Sequence, residues 1–261
     1  HTVVTAYFKI SSKHTHEDYI GWMRNMLSIQ DAMVIFTSPG MVETIRGLRA
    51  HAMDKTLIFP MLLKDTKACR AFDESFWESQ LDRDPEIATK HSGIHYEVFC
   101  VWLSKSWFVT EAIRVNPFLS DIFVWSDIGC FRDSQYTGDL WIQHPEIIPS
   151  ASMLMMAGIP PFSIDGDWVV KDLNGIFIAG AQFGGRRDTW GRFHAAFEHT
   201  LRGYVEQSLF LGEDQALVQT TCMHHCNLCA FVTPDMVTGD EWFGLQDVLH
   251  NGKTGALWWF P

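Results

Sequence analysis

Apolar and polar positions alternate in a regular order over the first quarter of the chain. Val3–Ile10 is a β-rich run broken by Ser11, Ser12 and Lys13. Glu17–Ile29 then carries Ile20, Met23, Met26 and Leu27 at helical spacing. Ala32–Thr37 reads as a second strand ended by Ser38-Pro39-Gly40, Val42–Ala50 as a second helix and Thr56–Leu63 as a third strand. This β-α-β-α-β order predicts a parallel sheet flanked by helices. Lys64–Asp84 is polar and reads as irregular, and Glu86–Val115 reads as one or two helices stopped by Asn116-Pro117. Ile122–Trp125 is a buried-type strand running into Ser126-Asp127-Ile128-Gly129.

The second half is less regular. Asp133–Asn174 offers short strand-like pieces and turn signals, among them Asp165-Gly166-Asp167, read as a hairpin turn. Ile176–Ala179 is a strand that delivers a glycine-rich loop, Gly180 to Arg187, to a helix over Arg187–Tyr204. A further helix over Glu213–Cys222 and a strand over Ala230–Thr233 follow. With no repeat or low-complexity linker, the expectation is one α/β domain over 1–261.

Composition narrows the function. Lys and Arg total 20 against 31 Asp and Glu, a formal net charge of −11. Such a surface disfavours nucleic acid and anionic lipid, both of which need clustered cations. No apolar run reaches the ~18 residues of a membrane helix. Residues 1–10 lack a charged start and cleavage site, there is no glycosylation sequon, and the six cysteines are irregularly spaced, so a reducing cytoplasm is expected. Tryptophan is in excess at 11, and seven of these (Trp125, Trp141, Trp168, Trp190, Trp242, Trp258, Trp259) lie from the Asp127 strand onward. Indoles beyond the needs of a core suggest stacking faces in a cleft, as for sugars.

Several constellations could carry chemistry. Asp127 at the carboxyl end of a strand is either a ligand for Mn²⁺ or Mg²⁺ or the cap of a turn. The glycines from Gly180 to Gly185 either admit a ligand to the backbone or merely flex. Glu213-Asp214 opens a helix, where acids are favoured by the dipole but can also serve as a general base. His250 and Lys253 flank Gly252 and form either a metal and phosphate contact or a surface turn. Cys222, Cys226 and Cys229 form a C-x3-C-x2-C run, read as an iron–sulfur or zinc alternative against core cysteines. His91 and His95 have metal-compatible i,i+4 spacing but read as a helix face.

The order of these motifs resembles the GT-A class of nucleotide-sugar glycosyltransferases. More narrowly, Lys105, Asn116-Pro117-Phe118, Ser120-Asp121, Phe123, Trp125, Asp127, Gly129 and Arg132 resemble the HtrL/YibB family. The resemblance implies a GT-A-like, Rossmann-like mixed sheet, with a nucleotide-binding half (1–130) and an acceptor-binding half (131–261). It implies transfer from a nucleoside diphosphate sugar, a UDP-sugar first, to a hydroxyl of a glycan acceptor, inverting, with Asp214 as base beside Glu213. Thr5, Ala6, Tyr7, Lys105, Asp127 and Lys253 would hold the nucleotide. Gly180, Phe183, Gly184, Gly185, Arg186, Trp190 and Trp242 would hold sugar and acceptor. A divalent cation would sit on Asp127 and His250, although Gly129 stands where the motif has its second Asp. A non-catalytic carbohydrate- or nucleotide-binding module is the remaining alternative.

Overall fold

The computed structural model describes all residues except 91, 158–168, 172–174, 234–236, 238–239, 254–256 and 260–261. His91, Asp165-Gly166-Asp167 and Trp168 therefore lie outside the described residues. The alternating runs become β1 (Thr2–Tyr7), β2 (Met33–Thr37), β3 (Thr56–Pro60) and β4 (Ile122–Ser126), joined in part by α1 (His16–Leu27) and α2 (Val42–Leu48). Apolar residues on both faces of β1, β2 and β4 are buried, the mark of a sheet covered on both sides, while β3 at the edge is only partly covered. Thr15 caps α1 in a reciprocal box with Asp18.

The polar stretch after β3 is not irregular. It folds into α3 (Lys67–Ala71) and α4 (Glu74–Asp82). The long helix expected over 86–115 is shorter: α5 (Glu97–Leu103) and α6 (Lys105–Val115) meet at Ser104. Asn116 ends α6 in the left-handed region, φ 39°, with its side-chain amide bonded to both backbone groups of Ser120.

The second half adds β5 (Met153–Ala157), β6 (Ile178–Arg186), α7 (Arg187–Glu206), α8 (Asp214–His224), β7 (Cys229–Val232) and α9 (Gly244–Asn251). One seven-stranded sheet runs β3-β2-β1-β4-β6-β5-β7. β1 to β4 are parallel, and β6 is antiparallel to both β4 and β5. This is the Rossmann-like mixed sheet flanked by helices expected above, in a single domain.

β6 corrects one expectation. The Gly180–Arg186 stretch is not a loop but the strand itself, with Gly184 opposite Val124 and Gly185 opposite Phe123. A Cβ on Gly184 would come 2.9 Å from Ile148, and one on Gly185 would come 2.6 Å from Met153. These glycines are there because neighbouring side chains fill the space above the strand.

The core lies on both faces of the sheet. One layer joins Val4, Phe36, Phe99, Phe108, Phe123 and Trp190, and the other joins Met23, Met26, Ile35, Val124, Leu154 and Val248. Much of the tryptophan excess is core: Trp125, Trp141 and Trp190 are fully buried.

Cys69 pairs with Cys100 and Cys222 with Cys229. Cys222 and Cys229 are bonded to each other, so they offer no thiolates to iron or zinc, which overturns the cysteine-cluster alternative. No helix among the described residues is long and apolar enough to cross a membrane.

Candidate active site

The carboxyl ends of β1 and β4 open onto a cleft enclosing about 160 Å³. In open α/β sheets this edge is where ligands bind. Its floor includes Ala6, Trp125, Asp127 and Ala181, and one wall is Val98, Val101 and Trp102 of α5. The opposite wall is aromatic and cationic: Tyr7, His16, Tyr19, Arg132, Trp242 and Phe243.

Asp127 follows β4 directly, and its backbone N–H donates to Ala181 O at 2.9 Å, fixing where the strand ends. The Trp125 indole N–H donates to its Oδ1 at 2.8 Å. The Lys105 ammonium lies 3.1 and 3.2 Å from its two oxygens. The Asp127 side chain remains 35% exposed, so it faces the cleft. Desolvation within the cleft raises its carboxyl above the ordinary range, against the opposing pull of Lys105.

Lys105 is the first residue of α6 and is almost fully buried. Its ammonium also contacts Asp214 Oδ2 at 2.8 Å and donates to Gly180 O at 2.8 Å. Burial pulls this amine down, but Asp127 and Asp214 outweigh it and hold the ammonium charged. Gly180 leaves room for the start of α8, since a Cβ there would lie 2.6 Å from Gln215 and 3.4 Å from Asp214. Asp214 opens α8 with Glu213 before it. Burial, then the neighbouring Asp214 charge, push the Glu213 carboxyl up to about 8.

The structure thus brings Lys105, Gly180 and Asp214 together behind Asp127, which alone of the four lines the cleft. Glu213 precedes Asp214, Phe183 lies beneath with its ring 5.9 Å from the ammonium, and Ala6, Tyr7 and Trp242 line the cleft itself. Thr5 is fully buried within β1.

The rest of the expected set lies elsewhere. Trp190 is sealed in the core, its indole N–H on Phe123 O. Arg186 pairs with Asp121 at 2.7 Å, at the amino end of β4. His250 has its Nδ1 3.3 Å from Trp141 O and its ring edge-on to Tyr136. Trp141 N–H in turn donates to Asp31, which precedes β2, so His250 belongs to the amino edge of the sheet, opposite Asp127. Lys253 follows Gly252, the left-handed cap that ends α9 beyond His250. The H-x-G-K run forms the C-terminus of α9, with His250 apart from Asp127.

Arg132 is the cleft residue that motif reading passed over. Its guanidinium stacks 3.5 Å above the Trp22 ring, at the rim. The available signal was its place five residues after Asp127, in the stretch that carried the family resemblance. Lys13, over Trp102 at 5.0 Å, is a second cation nearby.

The model of the family described as "Bacterial protein of unknown function (HtrL_YibB)" matches residues 1–249. The chain belongs to the HtrL/YibB family. No curated protein matches its sequence significantly. Among solved structures, this HtrL/YibB chain is similar to mouse xyloside xylosyltransferase 1 in its apo form, at 12% identity and a TM-score of 0.48, over 95% of this chain and 92% of that one.

The divalent cation expected on Asp127 and His250 does not fit the donors present. His250 is on the other edge of the sheet. Gly129, at the position of the missing second Asp, supplies no ligand and is closely packed: a Cβ would lie 3.2 Å from both Trp22 and Tyr19. No group of three or more His, Cys, Asp or Glu among the described residues could hold a metal ion.

Proposed function

We propose that this HtrL/YibB chain transfers a sugar from a nucleoside diphosphate sugar to a hydroxyl of a glycan acceptor. The observation that carries the reading is the cleft at the strand carboxyl ends, with one exposed carboxylate on its floor and an aromatic, cationic rim. Tyr7, Tyr19 and Trp102 offer flat faces to a base or sugar ring. Arg132, held by Trp22, is placed to meet a diphosphate, and a guanidinium binds phosphate through paired N–H donors.

In the transfer, the anomeric carbon–oxygen bond breaks and its electron pair leaves on the diphosphate, beside Arg132. The acceptor oxygen bonds to the anomeric carbon and its proton goes to a carboxylate. Asp214 was the expected base, but it lies behind Lys105 and is only 3% exposed. We assign the proton to Asp127, which faces the cleft and whose raised affinity for protons suits a base. Asp214 then acts as the anchor of Lys105. The two disulfides favour function in an oxidising compartment.

The test is a thermal-shift screen of nucleoside diphosphates and their sugars, UDP species first, followed by donor hydrolysis and transfer assays. A ligand that binds only the native state raises the melting temperature. Asp127→Asn is expected to abolish turnover while leaving the nucleotide shift in place. No shift with any nucleotide in the panel overturns the glycosyl-transfer reading, and full turnover by Asp127→Asn overturns the role of Asp127.

A further inference from the structure

We infer that the Lys105 ammonium occupies the cation position of this site, so that donor binding needs no divalent metal. The inference rests on the glycosyl-transfer reading only for the identity of the donor. The geometry comes from the cluster itself. Three acceptor groups, the Asp127 carboxylate, the Asp214 carboxylate and Gly180 O, surround the ammonium at 2.8 to 3.2 Å. Two of these contacts are hydrogen bonds, to Asp127 Oδ2 and to Gly180 O, and the third, to Asp214 Oδ2, is an ion pair, so one cation is held by all three groups.

The placement is otherwise unfavourable. Lys105 is the first residue of α6, where the helix dipole disfavours a positive charge. It is also 4% exposed, and a buried ammonium is tolerated only where opposite charges compensate it. The two carboxylates supply that compensation, and they come from different parts of the chain, Asp127 after β4 and Asp214 at the start of α8. Converging carboxylate and carbonyl oxygens are the donors a hard divalent ion prefers. Here they converge on a side chain.

The surroundings exclude a metal beside the lysine. Asp127 Oδ1 already accepts the Trp125 N–H, and both of its oxygens face Lys105. A Cβ on Gly129 would sit 3.2 Å from both Trp22 and Tyr19, so a second carboxylate there would crowd these two rings. A divalent ion would have to expel a buried ammonium and leave it without partners.

The experiment titrates Mn²⁺ into wild-type protein and into Lys105→Ala, followed by calorimetry and by electron paramagnetic resonance of free Mn²⁺. UDP binding is measured in parallel in EDTA and in Mn²⁺. Wild type is expected to show no saturable Mn²⁺ site and the same UDP affinity in both buffers. Lys105→Ala frees the two carboxylates and is expected to gain a saturable Mn²⁺ site, at least about ten-fold tighter than the weak non-saturating binding of wild type, the scale of a change to a metal's immediate surroundings.

A saturable wild-type Mn²⁺ site that Asp127→Asn removes overturns the inference. So does UDP binding that appears only with Mn²⁺. If Lys105→Ala does not fold, Lys105→Gln keeps the volume without the charge, and the wild-type titration decides by itself. If no nucleotide binds in either buffer, the glycosyl-transfer reading fails, while the Mn²⁺ titrations still decide whether the lysine holds the cation position.

Discussion

Replacing Glu213 with Gln removes one titrating group from the floor of the cleft and leaves its shape intact. The Glu213 carboxyl is held at about 8 by burial and by Asp214, against an ordinary 4.5. The native state therefore keeps a proton there that the unfolded chain releases between these two values. Wherever the native state binds more protons, stability falls as pH rises. The stability from this group is fully present below pH 4.5 and is lost as pH rises to about 8. The loss is on the order of a few kcal/mol, since one pH unit of displacement corresponds to about 1.4 kcal/mol. Glu213→Gln stays neutral throughout. Urea unfolding at intervals from pH 5 to 9 is expected to show wild type losing stability with a slope that the variant lacks, and the variant becoming the more stable protein on the alkaline side. Parallel curves for the two proteins refute the reasoning, because they mean Glu213 titrates alike in both states.

Arg132→Ala should weaken UDP binding about ten-fold and flatten its dependence on salt, because an exposed cation–diphosphate contact is screened by ions; an unchanged salt slope in calorimetry removes Arg132 from the phosphate site. Gly185→Ala should cost ~1–3 kcal/mol in urea unfolding, the scale of overpacking, because its Cβ meets Met153 and Trp190; a neutral effect on stability refutes the packing role. Alkylation of the unreduced, denatured protein should label only Cys130 and Cys226, the two free cysteines; labelling of Cys222 or Cys229 by mass spectrometry refutes that pairing.

The fold was legible where secondary structure and burial share one pattern. The β1-α1-β2-α2-β3 unit announces itself because its strands are apolar on both faces and its helices apolar on one. Asp127 was legible for a related reason: a buried strand ending in a lone carboxylate has little structural excuse. Gly180–Arg186 misled because glycine signals turns locally, whereas here it signals what packs above a strand, which only the tertiary structure reveals. His250 and Lys253 misled in the same way, since a left-handed glycine cap carries the same letters as a phosphate loop. The disulfides could not be read, because sequence does not give connectivity. Arg132 was visible but mute until Trp22, a hundred residues away, was seen beneath it.

The acidity of the chain finds its resolution in this cluster. If a protein at −11 is to bind a diphosphate, as proposed, it must avoid setting its own carboxylates against it. Three of them, Asp127 on the floor of the cleft and the buried Glu213 and Asp214 behind it, gather around Lys105, and left ionised they would repel a bound anion. Lys105 offsets one charge. Burial keeps Glu213 protonated through neutral pH and so removes another. The remainder is close to a single negative charge, shared between Asp127 and Asp214 around one ammonium. Of these two carboxylates, Asp127 is the one exposed to the cleft, where a base is useful. The positive charges that face outward, Arg132 on Trp22 and Lys13 on Trp102, stand at the rim and not on the floor. In the transfer proposed above, a diphosphate held there would leave its sugar pointing inward, with the leaving group and the base at opposite ends of the cleft. That separation follows from where the charges are buried, and it requires no charge that the chain does not itself provide.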